Sequence, residues 1–266
     1  MNVNRAEFSP DGKRILTAGG NTARIWRMEE LSDMLNRGCE WLSDYLVTHV
    51  QDLRKLKVCQ TPENLKAAAP YLIKVGEEEA KAGDIEKAIV TFKTALKWNP
   101  ELNFDPQEKA RAERLVSEAS RLFEEKKIKE AIAAYRQAQQ FDTNVKIDAR
   151  TWNMLCWQGS LDGLAKDVTF ACEQAVKLAP DNGNIRDNRG LARALTGDYK
   201  GAIADFEASI AETDNQESKA QRQKWVKALQ EGKNPFTEKE LEKLQSQFLE
   251  KELEKLGGQS IKNLTK

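Results

Sequence analysis

A period of 34 residues constrains this chain more than any other feature. Between Ala149 and Gln216 one helix-pair phrase occurs twice. Val168 with Cys172, then Pro180, is followed 34 positions later by Ala202 with Phe206, then Asp214. Upstream, Ala88-x3-Phe92-x2-Ala95 closing at Pro100 repeats the phrase, as does Ala131-x3-Tyr135-x2-Ala138. In each copy two compact residues stand twelve apart: Gly76 and Ala88, Ala119 and Ala131, Cys156 and Val168, Gly190 and Ala202. Two antiparallel helices that cross closely need one such residue each. Phe92, Tyr135 and Phe206, four positions further on, are expected to project from the same helix face into the next unit. The third copy is the least regular. Cys156 takes the glycine position and Cys172 the aromatic one, so this copy is expected to carry something besides packing.

A 34-residue period with A-x3-F and a terminal proline resembles the tetratricopeptide repeat family, and Trp152-x2-Leu155 matches that family's opening. The resemblance implies a mainly α fold: a tetratricopeptide-like α-solenoid of about four helix pairs plus capping helices, preceded by a small antiparallel β-strand fragment. The first repeat is expected over 69–102 and the second over 112–145. The turn Ala82-Gly83-Asp84 recurs as Thr196-Gly197-Asp198, whereas the second repeat turns at Lys126-Lys127 without glycine. A polar helix over 218–229, with Trp225, Val226 and Leu229 on one side, would cap the open end, as stacked repeats require.

The first 27 residues have a different pattern from the helical repeats. Arg5 to Phe8, a Ser9-Pro10-Asp11-Gly12 turn and Arg14 to Ala18 read as two strands, and Thr22 to Trp26 as a third. Phe-Ser-Pro-Asp-Gly-Lys with an Ile-Trp ending resembles part of one blade of a WD-repeat propeller. No Gly-His precedes it, Arg27 replaces the aspartate after Trp26, and Gly20 stands where the turn aspartate is usual. The chain therefore reads as the tail of a longer protein. From Leu31 the apolar residues recur at threes and fours to Leu46, an amphipathic helix. Residues 31–46, with Arg37 to Leu46 like the linker helix after the last blade, together with 149–236 resemble the helical tails of certain cyanobacterial WD-repeat proteins. The expected organisation is a partial blade over 1–27, linker helices over 28–60, the solenoid with its cap over 61–236, and a C-terminal amphipathic helix with a disordered end over 237–266. The last helix opens on a Thr237-x2-Glu240 capping box and ends at Gly257-Gly258. It either folds back on the stack or pairs with another chain.

Charge narrows the function classes. With 42 basic and 42 acidic residues among 266, the chain has no net charge and no general reason to bind nucleic acid or an anionic membrane. No apolar run approaches the roughly 18 residues that span a bilayer, and the first residues lack a secretion-signal pattern. A cytoplasmic protein is the simplest reading. Cys39, Cys59, Cys156 and Cys172 form no C-x2-C pair, and His49 is the only imidazole, so neither a metal site nor a cofactor is expected. Cys156 and Cys172 fall within one helix pair. Two reduced, buried thiols acting as small hydrophobes are the expected state.

Nothing in the sequence points to catalysis. No phosphate-binding G-x4-G-K-[ST] loop and no G-x-S-x-G elbow occurs. His49 sits in a polar stretch and reads as solvated. Runs such as Glu77-Glu78-Glu79 read as solvated helix faces. The expectation is a non-catalytic module that binds a protein or peptide partner. In tetratricopeptide stacks the first helix of each pair lines a concave groove. The resemblance places Arg150, Asn153 and Trp157 there from the third unit, and Asn184, Asp187, Asn188 and Leu191 from the fourth. Trp157 reads equally as a groove anchor or as filler for the irregular core around Cys156 and Cys172. A carboxylate clamp of the chaperone-binding type is disfavoured, because Ile73, Glu77, Val116 and Ser120 occupy its positions and Asn188 alone would fit. Two rival readings are a structural tail that self-associates through 237–256, and a regulatory domain whose catalytic part lies upstream.

Overall fold

The computed structural model describes residues 3–255, so the Gly257-Gly258 stop and the expected disordered end lie outside the described residues. Three strands, twelve α-helices and one short 3-10 helix are present among them. The chain forms two compact units, Met1–Ala110 and Arg111–Lys266.

The first unit opens with an antiparallel sheet of β1 (Arg5–Phe8), β2 (Arg14–Gly19) and β3 (Thr22–Arg27), in the order β1-β2-β3. Its register places Phe8 opposite Ile15 and Ile15 opposite Trp26. The Ser9–Gly12 turn closes with Gly12 N donating to Ser9 O at 2.9 Å, and the Trp26 indole donates to Thr17 Oγ1 at 2.8 Å. Phe8, Ile25 and Trp26 remain exposed. Helix α1 (Leu31–Thr48) runs close to its expected span, yet only Cys39 and Leu46 of its apolar stripe are buried. Next come α2 (Val50–Lys55) and a 3-10 turn (Lys57–Cys59). Helix α3 (Pro62–Ala82) starts where Thr61 Oγ1 accepts from Asn64 N, with Pro62 in the first helical position. Helix α4 (Ile85–Trp98) returns along α3. A Cβ added at Gly76 would come within 2.6 Å of the Phe92 ring, which is why this crossing needs glycine.

Helix α5 (Pro106–Glu124) begins in the first unit, with Asp105 accepting from the amides of Gln107 and Glu108, and continues into the second. Then come α6 (Ile128–Phe141), α7 (Ala149–Leu161), α8 (Ala165–Leu178), α9 (Gly183–Leu195), α10 (Tyr199–Glu212), α11 (Gln216–Gln230) and α12 (Glu238–Lys255). Asp148, Asn182, Asp198 and Asn215 cap α7, α9, α10 and α11 through their side chains. The helix pairs are of the tetratricopeptide kind, as the period implies.

The repeated aromatics pack in both directions, not only forward. Phe206 lies against Gly190 of its own pair, and its ring is 5.4 Å from that of Trp225 on α11. Tyr135 reaches forward to Trp152, ring centroids 5.3 Å apart. One buried carboxylate organises the outer side of α9. Asp205, 1% exposed, accepts from Arg189 Nε and Nη2 and from Arg193 Nη1 at 2.6–2.9 Å. Burial lowers the Arg189 pKa, but Asp205 and Glu173 outweigh it and hold the guanidinium above its ordinary range.

The cysteines correct the expectation of reduced thiols. Cys156 and Cys172 form a disulfide between α7 and α8, and Cys39 and Cys59 form another between α1 and the 3-10 turn. The repeat arithmetic explains the first. Gly76 meets Phe92 and Gly190 meets Phe206 at a separation of 16 residues, and Cys156 stands 16 before Cys172. In the third pair a covalent bond occupies the place of a glycine–aromatic contact. The irregular core does carry something besides packing.

Candidate functional site

The first helices of successive pairs lie side by side in the second unit, and a 34-residue step moves between them at constant height. The step relates Asn153 to Asp187 and Gln221, and Met154 to Asn188 and Arg222. It also relates Arg150 to Asn184 and Ser218. All but Arg150 line one groove of about 700 Å³, formed by α7, α9, α11 and α12. A translationally repeated backbone therefore produces rows of side chains at one level. The rows are amide-rich, suited to hydrogen bonding with an extended or helical chain.

The expected site residues divide clearly. Asn153 and Asn188 come together, the Asn188 side-chain amide donating to Asn153 Oδ1 at 2.9 Å. Asn184 lines the groove from the first turn of α9 and is exposed. Asp187 lines it too, but its carboxylate is engaged by Arg222 across the α9–α11 step, at 3.0 Å from Nε and 2.6 Å from Nη2. That pair is largely buried and holds α11 against α9, and the Arg222 guanidinium lies 5.3 Å from the Trp225 ring centroid. Asp187 thus shapes the wall.

Leu191 and Arg150 are not part of the lining. Leu191 is 2% exposed, inside a cluster with Phe206, Trp225 and Leu229. It occupies the end of its row where Trp225, one repeat on, closes over the apolar side. Arg150 is exposed at the start of α7, one turn outside the groove. Trp157 takes up neither alternative alone. It lines the groove and also packs on the cluster around Trp225, away from the Cys156–Cys172 disulfide. Its Nε1 is buried with no hydrogen-bond partner, and its ring lies 6.0 Å from that of Phe248 on α12.

Two repeats alone do not show the contributions of α11 and α12 to the groove. The signal for α11 is present: one further step of 34 from Asn153 and Met154 lands on Gln221 and Arg222. For α12 there is no local signal. Leu244 and Phe248 reach the groove because that helix folds back on its own unit. Its capping box is half formed. Glu240 N donates to Thr237 Oγ1 at 3.4 Å, while the Glu240 carboxylate accepts from Gln221 Nε2 and Trp225 Nε1 instead.

Chemically the groove offers hydrogen-bonding amides beside one indole. No group of three or more metal-ligating side chains occurs among the described residues, and His49 stacks on Tyr45 at 3.9 Å. No described helix is long and apolar enough to cross a membrane. Residues 69–102 match the family model of the tetratricopeptide repeat. Among solved structures, the TPR domain of P58(IPK) is similar, with 18% identity over 76% of this chain and 66% of that one, and a TM-score of 0.38. The chain thus spans just under two thirds of that domain. A structure described as the functional characterization of Pseudomonas aeruginosa pilF is also similar, with 14% identity, 82% of this chain, 100% of that one and a TM-score of 0.33. No curated protein matches the sequence.

Proposed function

We propose that this chain is a non-catalytic protein-interaction module and that its ligand, a peptide or a segment of a neighbouring domain, enters the groove of α7, α9 and α11. The repeat at 69–102 is of a family that serves generally as a protein-interaction scaffold. The observation that carries the reading is the lining itself. Three helices present Asn153, Asn184, Asn188 and Gln221 at repeat-related heights, beside a half-buried tryptophan. Side-chain amides can both donate to and accept from a peptide backbone, and a tryptophan supplies an apolar anchor.

The opening sheet supports a second contact surface. Its two edge strands and the exposed Phe8, Ile25 and Trp26 fit a blade that continues into neighbouring structure, in keeping with the likeness to a WD-repeat propeller. The two disulfides favour a compartment in which thiols oxidise, in place of the cytoplasm suggested by composition.

The groove reading is tested by comparing the full chain with its Asn153→Ala/Asn184→Ala variant as bait in an extract of the source cell. A protein bound by the first should bind the variant roughly tenfold more weakly, the loss of two hydrogen bonds at about 1 kcal/mol each or slightly less. Equal retention of every captured protein would remove the groove from consideration.

A further inference from the structure

Helix α12 lies along the groove without filling it. Leu241 and Leu244 face the second unit, and Leu244 is 6% exposed beside Trp225, Leu229 and Phe236. Phe248, one turn on, meets Trp157. Glu240 accepts hydrogen bonds from Gln221 and Trp225 on α11. An acid, two leucines and an aromatic at i, i+1, i+4 and i+8 thus hold the helix down, and the other residues from Glu238 to Gln247 are Glu, Lys, Gln and Ser. Yet about 700 Å³ stays open between α12 and the amide rows. The Trp157 indole N–H, closed off from solvent, has no acceptor. Leaving a buried donor unpaired is costly, so this contact is poorer than the groove allows.

We propose that α12 is an internal ligand of the groove, displaced by an amphipathic helix of another protein. That helix carries the same acid–Leu–Leu–aromatic spacing and adds a polar side chain that accepts from Trp157 Nε1. The proposal rests on the groove reading above and specifies its ligand. The tether explains why an imperfect helix sits there: a covalently attached segment competes at an effective concentration of the order of millimolar. A foreign helix prevails only with contacts α12 lacks, and the open volume and the unpaired indole supply them. A second copy's α12 brings the same side chains and leaves the same defects, so exchange between copies gains nothing. Phe236 stays packed on Phe206 and Trp225, so the hinge is Thr237, directly before α12. Among the described side chains of α12 only Leu244 is buried, so few core contacts tie the helix to the unit.

The test uses the full chain and a fluorescein-labelled synthetic peptide of residues 237–256, read by polarisation. Two release variants are compared with wild type: Leu241→Glu/Leu244→Glu/Phe248→Glu, and Phe248→Glu alone, which spares the buried core. Circular dichroism checks that each is folded. The expected result is at least tenfold tighter peptide binding by the release variants. That gain should shrink when Trp157→Phe, which keeps a ring but removes the indole N–H, is added and tested with a peptide bearing an extra acceptor at position 247 or 250. Light scattering should show wild type as a monomer. Equal peptide binding by folded wild type and release variants overturns the proposal, as does a wild-type dimer that Phe248→Glu dissociates. If the release variants ignore the peptide while Asn153→Ala/Asn184→Ala still loses a captured partner, the helix proposal fails and the groove reading survives. If neither effect is seen, both fail.

Discussion

Lys126 holds a left-handed backbone, φ 63°, where Gly83, Gly163 and Gly197 hold the same turn in the other helix pairs. A Cβ in that region meets its own carbonyl, at a cost of roughly 1 kcal/mol. Lys126→Gly should therefore raise the melting temperature by about 2–4 °C, measured by circular dichroism. A second residue sets a pH limit. Burial pushes the Tyr135 phenol above its ordinary value of 10.0, only partly offset by its hydrogen bond with Ser120. A folded-state pKa raised above the unfolded one means that the stabilisation is complete below pH 10 and disappears as pH rises through the folded value. Wild type should lose more stability between pH 9 and pH 11 than Tyr135→Phe does, and denaturant titrations at the two pH values measure the difference. Parallel losses would place the alkaline sensitivity elsewhere.

At the level of the helix pair, the third unit replaces a packing contact with a bond. Reduction of Cys156–Cys172 reopens a loop of 16 residues and should cost about 3 kcal/mol. Cys156→Gly/Cys172→Phe restores the glycine–aromatic pattern of the first and fourth pairs, and a reductant should lower its denaturation midpoint less than that of wild type, the remaining shift coming from Cys39–Cys59. Much of this architecture was legible in the sequence because it is periodic. The span of α1, the turns at Gly83 and Gly197 and the cap-like burial of Trp225, Val226 and Leu229 all follow from local pattern. The site was half legible. Asn153, Asn184 and Asn188 line the groove because the repeat fixes their height. Leu191 does not, because its row ends under Trp225, a contact made one repeat further on. The disulfides were not legible either, since two thiols at packing positions read the same whether reduced or bonded. Helix α12 was ambiguous for a similar reason: an amphipathic seam shows that something is buried, without saying against what.

Across the whole molecule, apolar surface is shared unequally. The second unit buries Trp152, Phe206 and Trp225, whereas the first leaves Phe8, Trp26 and Trp41 exposed, Trp41 at 91%. Exposed apolar patches are, in general, where folded proteins meet partners. Each unit also has its own disulfide, and this has a mechanical consequence. When the oxidised chain is pulled from its ends, the residues between Cys39 and Cys59 and between Cys156 and Cys172, separations of 20 and 16, bear no load. At ~3.4 Å per extended residue, the fully stretched contour of the oxidised protein should be shorter than that of the reduced protein by roughly 110–120 Å. A single-molecule force trace would read this difference directly, with each of the two staples accounting for its own share of hidden length.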